Sequence, residues 1–287
     1  MAITVNTNIA SLNAQRRLGS STNDLRQSYE RLSSGLRIVR ARDDAAGLAI
    51  ADALRADSRI ASVAIRNAND GISLVSIADG ALDQMSSVLT RMAELAEQSA
   101  NGTLGTAQRS ALSQEFVALG SEIQRIAETT TFNGLLLLSG GASVSLQVGF
   151  DSSANSQVAF NGVDGTLESI GLASKGGKQL IFSLNDSAST VSAQVSARSA
   201  LDAVKLAISS LTTSRGTLGA AESRLSVAIT NLSVARENFK AAESQIRDVD
   251  VAEEAANLTR LNILQQAGAS VLAQANQQPS LALSLLQ

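Results

Sequence analysis

The stretch VKLAISSLTTSRGTLGAAESRLSVAITNLSVARENFKAAESQI, Val204 to Ile246, decides the fold. Within it Val204, Leu211, Leu218, Leu225, Leu232, Phe239 and Ile246 recur at every seventh position without a miss. Ala207, Ser214, Ala221, Ala228, Ala235 and Ala242 recur on the same period, three residues after the large ones. Large and small residues alternating three and four apart form a coiled-coil seam along one long helix. The small members predict that a partner helix approaches closely.

The partner is found upstream. Ile65, Ala68, Ile72, Val75, Leu82, Met85, Leu89, Met92 and Ala96 keep a helical rhythm, interrupted only by Asp79. From Asp43-Asp44, which suit a helix N-terminus, to Ser99 there is no breaker beyond single glycines. Such a helix would span roughly 80 Å. A first helix is predicted from about Asn6 to Gly35, on Leu18, Leu25, Tyr29, Leu32 and Leu36. Another follows the turn 101–105, carried by Leu112, Phe116, Leu119, Ile123 and Ile126, and stops at Thr129 to Gly134.

The middle changes period. Val144, Leu146, Val148 and Phe150 alternate with polar residues, and Val158 and Phe160 resume after a polar turn, so a β-hairpin is predicted. Leu180, Phe182 and Leu184 suggest one more short strand. Helices thus flank a small β tip. A chain that runs out, turns in a hairpin and returns brings its termini together. The fold class is mainly α: an elongated antiparallel helical bundle or coiled coil, with a β-hairpin tip and the two terminal helices packed together. Residues 1–40 with 250–287 form one predicted domain. Residues 41–249 form the other, with its β region at about 140–185.

Both ends are charge-free, before Arg16 and after Arg260. They mix apolar side chains with Asn and Gln, which excludes a membrane span. Ile3, Val5, Ile9, Leu12 and Leu18 at one end face Leu258, Leu261, Leu264, Val271, Leu272, Leu281, Leu285 and Leu286 at the other. Apolar, amide-rich ends need burial against each other and against copies of the same chain. The seam of the last segment keeps its spacing up to Pro279, the only proline.

Composition restricts the chemistry. Aromatics are 2% of 287 residues, so the core rests on aliphatic side chains in long helices. The chain contains neither Cys nor His, which removes thiol chemistry and the commonest general base and metal ligand. Asp43-Asp44 and Asp248-Val249-Asp250 group carboxylates, but helix-end charge accounts for both. The Gly-rich stretch 171–178 lacks the spacing of a phosphate loop. A net charge of −3 without a basic patch speaks against nucleic acid. No enzyme, cofactor or metal is expected. The N-terminus lacks the basic and apolar regions of a cleavable signal. Arg91 and Leu95, four apart, are read as lying beside the stripe of Leu89, Met92 and Ala96, and Glu115 as off that of Phe116; they form a candidate contact surface.

Several motifs together resemble bacterial flagellin. They are Asn6-Thr7-Asn8, Leu32-Ser33-Ser34-Gly35-Leu36-Arg37-Ile38, Asp43-Asp44-Ala45-Ala46-Gly47-Leu48-Ala49-Ile50 and Asn69-Asp70-Gly71-Ile72-Ser73. Thr131-Phe132-Asn133-Gly134, Leu218-Gly219-Ala220 and Gln274-Ala275-Asn276-Gln277-Gln278-Pro279 complete the set. The resemblance covers roughly residues 1–150 and 200–287. It implies an extracellular filament subunit, a homo-polymer of many copies, exported by the flagellar type III apparatus with an export chaperone and without a cleaved signal. Terminal helices would form the inner tube and the long helices a shell around it. Filament-cap and hook–filament junction proteins are implied partners. The insert between the terminal regions is short, and without His it cannot carry the zinc peptidase of some family members. A hook–filament junction protein or a minor flagellin is the alternative reading. The resemblance also implies contact with the flagellin-sensing Toll-like receptor through Leu89 to Gln98, with Arg91, Leu95 and Glu115 in the main roles. Thr90, Ala93 and Glu97 depart from the family pattern there.

Overall fold

A computed structural model describes residues 7–140, 143–160, 162–185 and 189–284, with backbone only at 160 and 278–284. Five helices and two hairpins make up these residues, and the protein is mainly α. In chain order they are α1 (Ile9–Ser34), α2 (Ala45–Ala100), α3 (Thr106–Thr129), β1 (Thr131–Phe132), β2 (Leu135–Leu136), β3 (Val144–Gln147), β4 (Gln157–Phe160), α4 (Thr190–Arg247) and α5 (Val251–Ser284). The chain divides into two compact units: residues up to Ser58 with those from Glu237 on, and Arg59–Arg236.

The helix ends follow from their capping chemistry. Asn8 opens α1, its side chain accepting the N–H of Ser11 at 3.0 Å. Gly35 closes that helix at φ +71°, a left-handed position that favours glycine. Asp44 accepts the N–H of Gly47 at 2.9 Å at the start of α2, and Asp250 accepts those of Ala252 and Glu253 at the start of α5. One carboxylate of each group, Asp44 and Asp250, is therefore a helix cap. α5 runs through Pro279 rather than ending there.

In the unit 59–236 one core joins three helices and the loops after them. Leu82, Met85, Leu89 and Met92 of α2 share it with Phe116 and Ile123 of α3 and with Val204, Ala207, Leu211 and Leu218 of α4. A second cluster joins Ala68, Leu225, Val148 and Val158, which holds the β3–β4 hairpin against the helices. Gly71 makes room for it, since a Cβ there would lie 2.1 Å from Leu146 Cδ1. The pairing runs antiparallel from Val144 opposite Phe160 to Gln147 opposite Gln157. Phe150 lies beyond the strand and is exposed. β1 and β2 pair around Asn133 and Gly134, both at positive φ, as the tightest hairpin turns require.

Two expectations need correction. Leu180 to Leu184 form no strand: Leu180 makes only an isolated bridge to Ala173. It is instead a plug seated on Gly120 of α3, where a Cβ would lie 2.3 Å from Leu180 Cδ1, and Leu184 is buried in the core. In the α4 seam Ala207 and Ala221 are buried, and Ala207 shares its core with Met85 and Met92 of α2. The second correction is Leu95, which lies in the core rather than beside the stripe, at 1% exposure. A helix enclosed by α3, α4 and loops buries more than one narrow stripe, and Leu95 falls in the widened part.

Candidate assembly surface

In the unit that holds both termini, α1 and α5 pack along each other. At one end of the pair Ser28 Oγ donates to a carboxylate oxygen of Glu254, and both residues are buried. Arg31 stands 4.0 Å from the same carboxylate. Next to this lies a joint of two linkers. Val249 N–H donates to Gly35 O at 3.1 Å, Arg37 N–H to Arg247 O at 2.6 Å, and Leu36 bridges Asp248. Asp43 secures the turn before α2: it accepts the N–H groups of Arg40 and Val39 and an amide N–H of Gln27. Arg40's N–H, opposed by desolvation and aided by Val39, Arg31 and Arg42, holds the Asp43 carboxyl below its ordinary range. At the other end Asn8 Nδ2 donates to Ala275 O at 2.7 Å and Ser11 Oγ to Asn276 Oδ1 at 2.6 Å.

Between these polar ends several apolar side chains of the helix pair are incompletely covered. Leu261 is buried, and Leu18, Leu258 and Leu272 are half-buried. Ile9, Leu12, Leu264 and Val271 are exposed, from 47% to 63%. Leu18, Leu264, Gly268 and Val271 line an open groove between the helices, with Arg17, Ser20 and Ser21 also in its wall. Leu281 stands in the last turn of α5 with its side chain outside the description; Ile3, Val5, Leu285 and Leu286 lie outside the described residues. Ile263, exposed at 61%, is one more uncovered aliphatic side chain of α5 that three/four spacing does not pick out. Nor does spacing reveal the polar clasps Ser28–Glu254 and Asn8–Ala275, because each joins residues more than 200 positions apart.

The other unit, described by itself, carries the rest. Arg91 Nε donates to Glu115 Oε1 at 3.0 Å, and Nη1 to Glu94 Oε2 at 3.0 Å. All three are exposed, and Glu94 first, then Glu115, raise the Arg91 guanidinium's pKa above its ordinary value. Leu95 is not beside them at the surface. The large seam residues Val204, Leu211, Leu218, Leu225 and Leu232 are buried; Phe239 and Ile246, in the terminal unit, are half-buried. Among the described residues no group of acidic side chains could hold a metal, and no helix is long and apolar enough to cross a membrane.

The family model described as the bacterial flagellin N-terminal helical region matches residues 5–143, and that of the C-terminal helical region matches residues 201–286. A flagellin of Halalkalibacterium halodurans is 44% identical, with 99% of each chain covered. The chain belongs to the bacterial flagellin family. Flagellins are structural proteins, not enzymes, and this one is an extracellular subunit of a homo-polymeric filament. Polar flagellin C of Vibrio parahaemolyticus is 34% identical with both chains covered whole. That alignment runs to 384 positions, so the relative carries sequence that this shorter flagellin lacks. A solved structure of a candidate flagellar hook-associated protein from the same organism superposes with a TM-score of 0.59 at 17% identity. It covers 72% of this chain and 100% of that one, a likeness of fold alone.

Proposed function

We propose that α1 and α5 are the elements that polymerise the subunit, with residues 1–40 and 250–287 as the inner-tube domain and 41–249 as the shell. The supporting observation is the uncovered apolar face of Ile9, Leu12, Leu264 and Val271 on segments that carry no charge before Arg16 or after Arg260. Apolar side chains beside amides pack well between copies, where an unpaired ion would be costly. Leu281, Leu285, Leu286, Ile3 and Val5 extend the same composition to both ends. Deleting 261–287 is expected to leave a soluble helical chain that forms no filament by electron microscopy; normal filaments from that truncation would end the proposal.

Membership of the family supports export by the flagellar type III apparatus with a chaperone, and contact with the cap and with hook–filament junction proteins. A junction protein or minor flagellin is the other reading of the same termini, and it predicts no long filaments from the purified chain alone. For the innate immune receptor we propose a contact through Arg91 and Glu115, which are exposed, whereas Leu95 is buried in the protomer. Receptor signalling unchanged by Arg91→Ala would count against that contact; the expected result is a loss of about tenfold or more in potency.

A further inference from the structure

Pro279 has a consequence that appears on the other terminal helix. In an α-helix each N–H donates to the carbonyl four residues earlier. Proline has no N–H, so the Ala275 carbonyl loses its usual donor although α5 continues to Ser284. Ala275 is 6% exposed, and a buried carbonyl needs a partner. The partner is Asn8 Nδ2 of α1, at 2.7 Å. The same amide's Oδ1 accepts the N–H of Ser11 and caps α1. Reversing the amide would set oxygen against oxygen and N–H against N–H, so chemistry assigns its orientation.

We propose that Asn8 and Pro279 form a register lock between the terminal helices: the proline leaves one α5 carbonyl open, and only an α1 aligned with Asn8 at that level closes it. Two other polar contacts join the helices, Ser11–Asn276 beside the lock and the buried Ser28–Glu254 pair at the far end. Beyond Arg260 no charged side chain exists to form a register-setting ion pair, and Leu264, Val271 and Leu272 are apolar, so the open carbonyl gives this end its own alignment signal. A slip of one turn, about 5.4 Å, would separate the amide from the open carbonyl. A single polar group in an apolar helix interface commonly specifies alignment in this way. Aspartate supplies the cap acceptor but no donor, and serine is a shorter cap without the second N–H, so both duties require asparagine's geometry. The lock belongs to the pairing within one protomer and does not rest on how the pair is used in assembly.

The chain has no cysteine, so Ser11→Cys with Asn276→Cys reports alignment in the full-length protein through the rate of intramolecular disulfide formation. In that background Asn8→Ser and Asn8→Asp, which keep a cap acceptor, are each expected to slow cross-linking about five- to tenfold. Adding Pro279→Ala restores an N–H to the Ala275 carbonyl, and Asn8→Asp should then change the rate less than about twofold. The proposal is overturned if either Asn8 variant leaves the rate unchanged, or if the slowing is equally large with Pro279→Ala present. A slowing with Asn8→Ser that Asn8→Asp does not share also overturns it, because capping alone would then explain the effect.

Discussion

Arg109 is the largest fully buried side chain among the described residues, and its bonds go to backbone carbonyls. Nε donates to Ser99 O at 3.1 Å, Nη2 to Asn101 O at 2.8 Å and Nη1 to Thr190 O at 3.0 Å. Ser99 and Asn101 mark the C-terminal end of α2, where unpaired carbonyls concentrate negative charge, and Thr190 begins α4. One guanidinium from the first turns of α3 therefore ties three helices at one level. Beside it, Ser99 Oγ donates to Leu184 O at 3.0 Å and fixes the loop before α4. The fork shape matters more than the charge, because an ammonium cannot direct donors to three separated carbonyls. Replacing Arg109 by Met is expected to cost roughly 3 kcal/mol, the scale of stranding several buried acceptors. Arg109→Lys should recover less than half of that loss. Urea unfolding followed by circular dichroism measures both; an Arg109→Lys chain as stable as the native one would refute the fork argument.

At the level of elements, what can be read from the chain is whatever repeats. The seven-residue spacing of Val204 to Ile246 places an unbroken helix there, and α4 contains it with extra turns at its start. Asp79 reads as a fault in the α2 stripe until Arg215 of α4 is in place. Its guanidinium donates to both Asp79 oxygens, at 2.8 and 3.2 Å, and to Asp83 at 2.8 Å. Spacing cannot announce such a pair, since it joins residues more than 130 positions apart. The same holds for Leu180, whose alternation with Phe182 suits a strand but whose place is set by the gap at Gly120. Leu95 escapes its spacing for a related reason: periodicity tells which side of a helix is apolar, not how many neighbours enclose it. Carboxylate pairs are legible as helix ends, and Asp43 shows what one of them does in its turn. Its folded-state pKa lies below the unfolded value, chiefly through the Arg40 N–H. The stability it confers is therefore complete above the ordinary carboxylate range and is lost as pH falls through the lower folded value. Asp43→Asn is expected to lower the melting temperature at neutral pH and to flatten its decline in acid. A variant curve parallel to the native one down to about pH 2 would show that Asp43 contributes no pH dependence.

For the molecule as a filament subunit, the deciding quantity is apolar surface that the protomer leaves uncovered. Single exposed aliphatic residues are ordinary on any protein. Here Ile9, Leu12, Ile263, Leu264 and Val271 stand on two paired helices, in or beside segments that carry no charged side chain before Arg16 or after Arg260. Ile263 and Leu261 provide a direct contrast, two residues apart on α5. Leu261 is 6% exposed and Ile263 61% exposed. Leu261→Gln strands a polar group inside the α1–α5 pair and should weaken the protomer's terminal helices and assembly together. Ile263→Gln alters a side chain that already meets solvent, so the protomer's melting curve should shift by no more than about 0.5 kcal/mol in equivalent stability. If copies bury Ile263 on assembly, the lost burial is about 1.5–3 kcal/mol per subunit. That range raises the critical concentration for polymerisation about 10- to 150-fold. Sedimentation of filaments across a dilution series reads the critical concentration, and differential scanning calorimetry of the unassembled chain reads the protomer. An Ile263→Gln chain that polymerises at the native concentration would place the assembly contact on some other face of α5.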